Sequence, residues 1–244
     1  MAHVYRVHEH LIPDTPALLA SAFGRDSDSL CKKAAFSALI DIDLDKAREL
    51  FRSCSNDLTL LDPELQLVIL DFMRKDCKVN YNDKGFYIKC ISSLLESKSS
   101  AVRFSAANLL ISITNTPSAV KVAVECFVEL AAKEIDLNAK LILLGKIQSV
   151  VEENPGVCSE LALDILKVLV TNEIQVKKQC VSLVLSLVSS KHLEEVVLFL
   201  RKDLLKFCKS FHEKEGIDDY IDFLLDSLNF CLKSNAEFIT KILS

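Results

Sequence analysis

The sequence predicts an all-α chain built from stacked helix pairs, and three observations lead to that class. Gly and Pro are scarce, five of each in 244 residues, and Trp is absent; sheet proteins place many more Gly and Pro at their turns. Apolar residues recur at helical spacing almost from end to end. One apolar set also returns at a nearly fixed interval, which is the mark of a repeat architecture.

The periodicity predicts helices over about 14–24, 29–41, 44–55, 63–77, 83–96, 100–113, 117–134, 137–153, 157–170, 173–189, 192–210 and 218–242. The segment 29–41 places Cys31, Ala35, Leu39 and Ile42 on one face. Asp62–Pro63 opens 63–77 with a cap followed by proline, and Thr116–Pro117 opens 117–134 in the same way. Asp136 is placed to cap 137–153, and Asn172 to cap 173–189. The remaining segments rest on periodicity. The links are short, as antiparallel helix hairpins require. The longer polar link "HEKEGIDD" (212–219) is expected to mark a weaker point in the stacking.

The repeat is read from 100–113, "SAVRFSAANLLISI". Val102 aligns with Leu65, Ala139 and Val176 at intervals of 37 residues, and with Cys31 at 34 before Leu65. Four positions on stand Ala35, Ile69, Ala106, Leu143 and Cys180. Eight on stand Leu39, Met73, Leu110, Ile147 and Val184; eleven on, Ile113, Val150 and Leu187. These offsets share one helix face. The residue after the first position is polar each time: Lys32, Gln66, Arg103, Lys140 and Lys177. A helix pair cannot bury both of its apolar faces alone, so pairs stack into a continuous core. The predicted fold is therefore a right-handed α-solenoid of about 12 helices, over 1–244 as one segment. Tetratricopeptide repeats want Trp, Gly and Pro that are missing here, so the units are closer to HEAT or armadillo repeats. Ala106 is expected inside, as a small residue that lets neighbouring helices approach.

The chemistry-bearing residues form no recognisable reaction centre. The net charge is −5, from 29 cations and 34 anions, which argues against a nucleic-acid partner. Basic pairs such as Lys32–Lys33 and Lys177–Lys178 read as solvated helix faces. Nine cysteines, an odd number without a C-x-x-C pair, read as buried free thiols in a reducing compartment. "HEH" (8–10) would point its two histidines apart on a helix, and His192 and His212 have no clustered ligands. No phosphate-cradling Gly loop occurs. Glu152–Glu153 and Glu194–Glu195 are adjacent, hence splayed on a helix. No apolar run approaches the roughly 18 residues of a membrane span. No catalytic, cofactor or metal residue is assigned, and no residue pattern marks the partner-binding residues. The chain reads as a non-enzymatic interaction scaffold.

Particular wording goes further. "HEHLIPDTPALL" (8–19), "DPELQLVILDFM" (62–73), "SSAVRFSAANLL" (99–110), "K-E-x-D-x-N-x-K-L-I-x-L" (Lys133 to Leu144) and "L-V-S-S-x-x-x-E-E-V-V-x-x-L-R-K" (Leu187 to Lys202) resemble the N-terminal trunk of coatomer β subunits, within the adaptin N-terminal family. The likeness runs over about 4–210 and weakens beyond. "LLGKI" (143–147) departs from a more polar stretch of that family. The resemblance implies an internal piece of a longer coat subunit, with "VYRVHEHL" (4–11) as the end of a helix, that acts in Golgi-to-endoplasmic-reticulum and intra-Golgi transport. It implies a cytoplasmic, Golgi-membrane location and no cofactor. The coatomer delta subunit, other coatomer subunits and an Arf-family GTPase would be its partners, with peripheral membrane association through the coat. A clathrin-adaptor large chain or another HEAT-repeat transport scaffold is the alternative, followed by an importin-type receptor and a thiol enzyme.

Overall fold

A computed structural model describes residues 2–154, 156–166, 168, 173–188, 192–209 and 217–233. Among them are thirteen α-helices and no strand. In chain order these are α1 Ala2–Val7, α2 Thr15–Arg25, α3 Ser29–Ile42, α4 Leu44–Cys54, α5 Pro63–Val79, α6 Lys84–Leu94 and α7 Ser100–Ile113. There follow α8 Pro117–Lys133, α9 Leu137–Glu153, α10 Ala162–Leu166, α11 Ile174–Leu187, α12 Leu193–Lys209 and α13 Ile217–Lys233.

The chain divides into two compact units, Met1–Ala119 and Val120–Ser244. In the first, α3 packs on α2 and α4 and against α5, while α5 packs on α6 and against α7. The helices α3, α5 and α7 therefore form one row, and each carries the recurring apolar set. In the second unit α11 packs on α10 and against both α9 and α13, and α12 packs on α13. There the row is α9, α11, α13. An advance of two helices per step is how a repeat buries the face its own pair leaves open.

The recurring positions are the core. Leu65, Val102 and Val176 are buried at the first position, and Ala35, Ile69, Ala106, Leu143 and Cys180 four residues on. Leu39, Met73, Leu110, Ile147 and Val184 follow at the next turn. Two first positions depart. Ala139 is half-buried, and Cys31 is exposed in the first turn of α3, where its thiol meets the Asp28 carboxylate at 3.5 Å. Aromatic rings fill the first unit: Phe36 lies 5.6 Å from Phe72, which lies 5.4 Å from Phe51, which lies 5.8 Å from Tyr87. Such tilted and edge-to-face pairs, contributed by α3, α4, α5 and α6, add to the burial of these side chains.

The starts of the row helices repeat too. Asp28, Asp62, Ser99 and Asp136 each stand three residues before the first apolar position. Their side chains accept from the backbone N–H of Leu30, Glu64, Val102 and Ala139, at 3.0, 2.9, 3.5 and 2.8 Å. Each satisfies one of the donors a helix start leaves open. The corresponding residue of α11 is Glu173, which makes no side-chain cap hydrogen bond. The expected cap Asn172 lies outside the described residues. The expected helix over 157–170 is instead a 3-10 turn, Ser159–Leu161, followed by the five residues of α10. Residues 167, 169 and 170 of that segment, the 212–216 part of the polar link and residues 234–242 of the expected last helix lie outside the described residues. At the other end, "VYRVHEHL" forms the last turn of α1 and then a 3-10 turn over Glu9–Leu11.

Candidate interaction surface

The polar residue after each first apolar position faces inward at three of its five occurrences. Gln66 is buried, and its side-chain Nε2 donates to the carbonyls of Leu58 and Leu61 at 2.7 and 3.0 Å. Its Oε1 accepts from Ser97 Oγ at 2.7 Å. Arg103 stands 37 residues later, and its Nε donates at 2.8 Å to the carbonyl of Leu95, itself 37 residues after Leu58. The repeat thus extends to its polar contacts. These side chains satisfy backbone carbonyls at the ends of preceding segments, a need that burial makes obligatory.

Lys177 corrects the reading of Lys177–Lys178 as a solvated face. Its side chain is 1% exposed and its Nζ donates to both carboxylate oxygens of Asp203, at 2.8 and 2.9 Å. Tyr220 donates its hydroxyl to the same carboxylate at 2.9 Å, and its ring centroid lies 5.9 Å from Nζ. A matching cluster lies in the first unit. The Asp76 carboxylate is fully buried and receives Nη2 of Arg48 at 2.6 Å, Nε of Arg48 at 3.1 Å and the hydroxyl of Tyr87. Burial pushes the Asp76 carboxyl up, but the hydrogen bonds from Arg48 and Tyr87 outweigh it and hold the group below its ordinary value. Burial, then the facing carboxylate, raises both tyrosine hydroxyls. Each cluster joins three successive helices: α4, α5 and α6 in one, α11, α12 and α13 in the other. Asp76 and Lys177 are closed to solvent while Arg48 and Asp203 keep a small exposed part, and each carboxylate is paired with a cation and a hydroxyl, so the clusters brace the stack.

The thiols follow the same logic. Cys90, Cys126, Cys158, Cys180 and Cys231 are buried, Cys54 and Cys77 half-buried, and Cys31 exposed. Burial pushes Cys180 up to about 12, and both Cys77 and Cys90 to about 11. The Asp28 carboxylate raises Cys31. A nucleophilic cysteine needs the opposite shift. The Cys208 side chain lies outside the described residues. His8 and His10 meet edge to face at 5.9 Å, and no group of three metal-ligating side chains occurs among the described residues. Glu152, Glu153, Glu194 and Glu195 are all exposed. No described helix is long and apolar enough to cross a membrane.

What the fold does offer is grooves between row helices. Between α3 and α5 a groove of about 400 Å³ carries charges that answer one another. Lys33 meets Glu64 at 2.5 Å, and Lys75 lies 3.5 Å from Asp41 and 3.3 Å from Asp71. Between α5 and α7 the next groove is larger, about 690 Å³. Arg74 and Lys78 of α5, with Lys84 at the start of α6, form its basic wall; Phe104, Asn108 and Ile113 of α7 stand opposite. In the second unit the exposed face of α12 sets Leu198 and Leu205 among Arg201 and Lys202.

The chain matches the family model described as the adaptin N terminal region over residues 1–244. It is 37% identical to the coatomer subunit beta of Sus scrofa over 231 residues, which is 93% of this chain and 24% of that protein. With the coatomer subunit beta of Drosophila melanogaster it is 36% identical over the same shares. With that of Saccharomyces cerevisiae it is 34% identical, over 82% of this chain and 21% of the relative. The chain thus spans about a quarter of the length of the first two of these relatives. Two-helix repeats with a shared cap register, polar contacts that recur at the same interval, and a family match along the whole length agree: the chain belongs to the adaptin N-terminal family.

Proposed function

We propose that the chain is a scaffold segment of a vesicle-coat subunit of the coatomer beta type, without catalytic activity of its own. The observation that carries this reading is the 37% identity to coatomer beta subunits over 93% of the chain. The physical character of the segment supports it. Its buried polar groups are spent on bracing neighbouring helices, and its accessible features are grooves and helix faces suited to holding other proteins. On this reading the subunit works on the cytoplasmic side of Golgi membranes, in Golgi-to-endoplasmic-reticulum and intra-Golgi transport. Recruitment would come through an Arf-family GTPase in its GTP state, and assembly through the coatomer delta subunit and the other coatomer subunits. The mechanism is mechanical: repeats of fixed geometry hold partner subunits in register.

Affinity purification of the tagged full-length protein tests this. The expected result is stoichiometric coatomer delta subunit, with membrane recovery that rises when Arf is loaded with a non-hydrolysable GTP analogue. Clathrin-adaptor small chains in place of coatomer delta would overturn the coatomer reading and establish the alternative, a clathrin-adaptor large chain.

A further inference from the structure

The α5/α7 groove differs from its neighbour in a way that points to an occupant. Both lie between consecutive row helices of the same unit. In the α3/α5 groove the lysines are answered by Glu64, Asp71 and Asp41. In the α5/α7 groove the helix α7, "SAVRFSAANLLISI", supplies no carboxylate at all. Arg74 approaches Asp71 only to 3.7 Å, and that carboxylate is shared with Lys75. Lys78 and Lys84 form no ion pair among the described residues. Asp83, next to Lys84, is engaged by Arg52 at 2.8 Å and by Asn80 at 3.0 Å. Three cations thus share one wall of a groove whose other wall is partly apolar.

We infer that the α5/α7 groove is a docking site for an acidic amphipathic helix of a partner protein. Its apolar residues would lie along Phe104 and Ile113, and its carboxylates would meet Arg74, Lys78 and Lys84. The wall from Phe104 to Ile113 is about 13 Å long at the helical rise per residue, enough for roughly two turns of a partner helix laid into it. Arg74 and Lys78 are four apart on α5 and so lie side by side, which suits carboxylates at i and i+4 of the partner. An inositol phosphate headgroup fits less well, because it asks for donors converging from several sides and offers nothing to the apolar wall. Any helical scaffold with this groove would bind the same chemistry, so the inference stands or falls apart from coatomer membership.

The test is fluorescence anisotropy on the 244-residue chain. The probe is a labelled peptide about four turns long, with Leu at i, i+3, i+4 and i+7, Glu flanking that stripe, and Ala elsewhere. Lys78→Glu/Lys84→Glu should weaken binding by at least about tenfold, since two attractions become repulsions. Lys133→Glu/Lys146→Glu, the same charge change on α8 and α9 away from these grooves, should leave it within about twofold. A probe with Lys in place of Glu should regain affinity for the Lys78→Glu/Lys84→Glu variant and not for the wild type. If charge reversal disturbs folding by circular dichroism, Lys78→Gln/Lys84→Gln replaces it, with a smaller loss expected. Equal loss from the two double variants would show general charge attraction and overturn the site. So would unchanged binding in the groove variant. Loss of sedimentation with phosphatidylinositol-4-phosphate vesicles in the groove variant, with peptide binding intact, would reassign the groove to lipid and overturn the proposal.

Discussion

Removing the Lys177 ammonium leaves the Asp203 carboxylate with only the Tyr220 hydroxyl, in a largely buried site. Breaking one side of a buried pair costs about 3–5 kcal/mol, because the remaining charge is uncompensated. Lys177→Met, which keeps length and removes charge, should therefore lower the urea midpoint sharply. The triple variant Lys177→Met/Asp203→Leu/Tyr220→Phe should recover most of the loss, since well-packed apolar replacements of a buried pair are often neutral. The Asp76 cluster makes a prediction in pH. A carboxyl held below its ordinary value of 3.8 by folding stabilises the fold at all pH above that value and loses the contribution as pH falls through its folded value. The gap in urea midpoint between wild type and Asp76→Asn should be constant from neutral pH to about 5 and shrink below about 4. Neither cluster was legible in the sequence. Lys177 stands beside Lys178, and Asp76 sits where the other repeats carry Ile113, Val150 and Leu187. Only the neighbouring helices bring their partners, 26 to 28 residues away, into reach. Arg103 was legible in part: its place in the repeat marked it as a shared structural position, and the carbonyl of Leu95 is the reason.

Within an element, two row helices give opposite expectations. Ala106 is fully buried in α7, so Ala106→Leu must displace its neighbours and should cost about 1–3 kcal/mol, read as a lower thermal midpoint. Gly145 sits on the exposed side of α9, where an added methyl meets nothing closer than Gln179 Nε2 at 4.0 Å. Gly145→Ala should stabilise by about 1 kcal/mol, mostly by restricting the unfolded chain, and raise the midpoint by about 2–4 °C. The helices themselves were readable because amphipathic spacing and short links leave few alternatives. Their caps were readable where Asp62 and Asp136 precede an apolar run. The full cap register, Asp28, Asp62, Ser99, Asp136 and then Glu173, becomes visible once the apolar positions are aligned. Glu173 escaped because Glu is a poor N-cap, and the better residue Asn172 stood beside it. The beginning of the segment 157–170 was misjudged: it has the apolar spacing of a helix but opens at Cys158–Ser159 with a 3-10 turn, whose tighter winding shifts the face that follows. The α5/α7 groove left no mark in the linear pattern, because its basic wall is assembled from α5 and α6 and its apolar wall from α7.

For the whole chain, repeat energetics are sums of local and nearest-neighbour terms. Damage should accordingly stay close to where it is made. Hydrogen exchange at sub-denaturing urea should show Lys177→Met stripping protection mainly from α11 to α13, and Asp76→Asn mainly from α4 to α6. Equal loss along all described helices would mean one cooperative block in place of coupled repeats. The inward polar position after each first apolar residue has a further consequence. Gln66 answers Leu58, Leu61 and Ser97; Arg103 answers Leu95; Lys177 answers Asp203. Three of the repeats therefore carry a chemical address as well as a shape: a neutral amide, a guanidinium and an ammonium, each matched to its own neighbours. Swapping α7 with α11 would keep the apolar register yet deliver each cation to the wrong destination. The order of the repeats is thus marked in a few inward polar atoms as well as in the apolar packing.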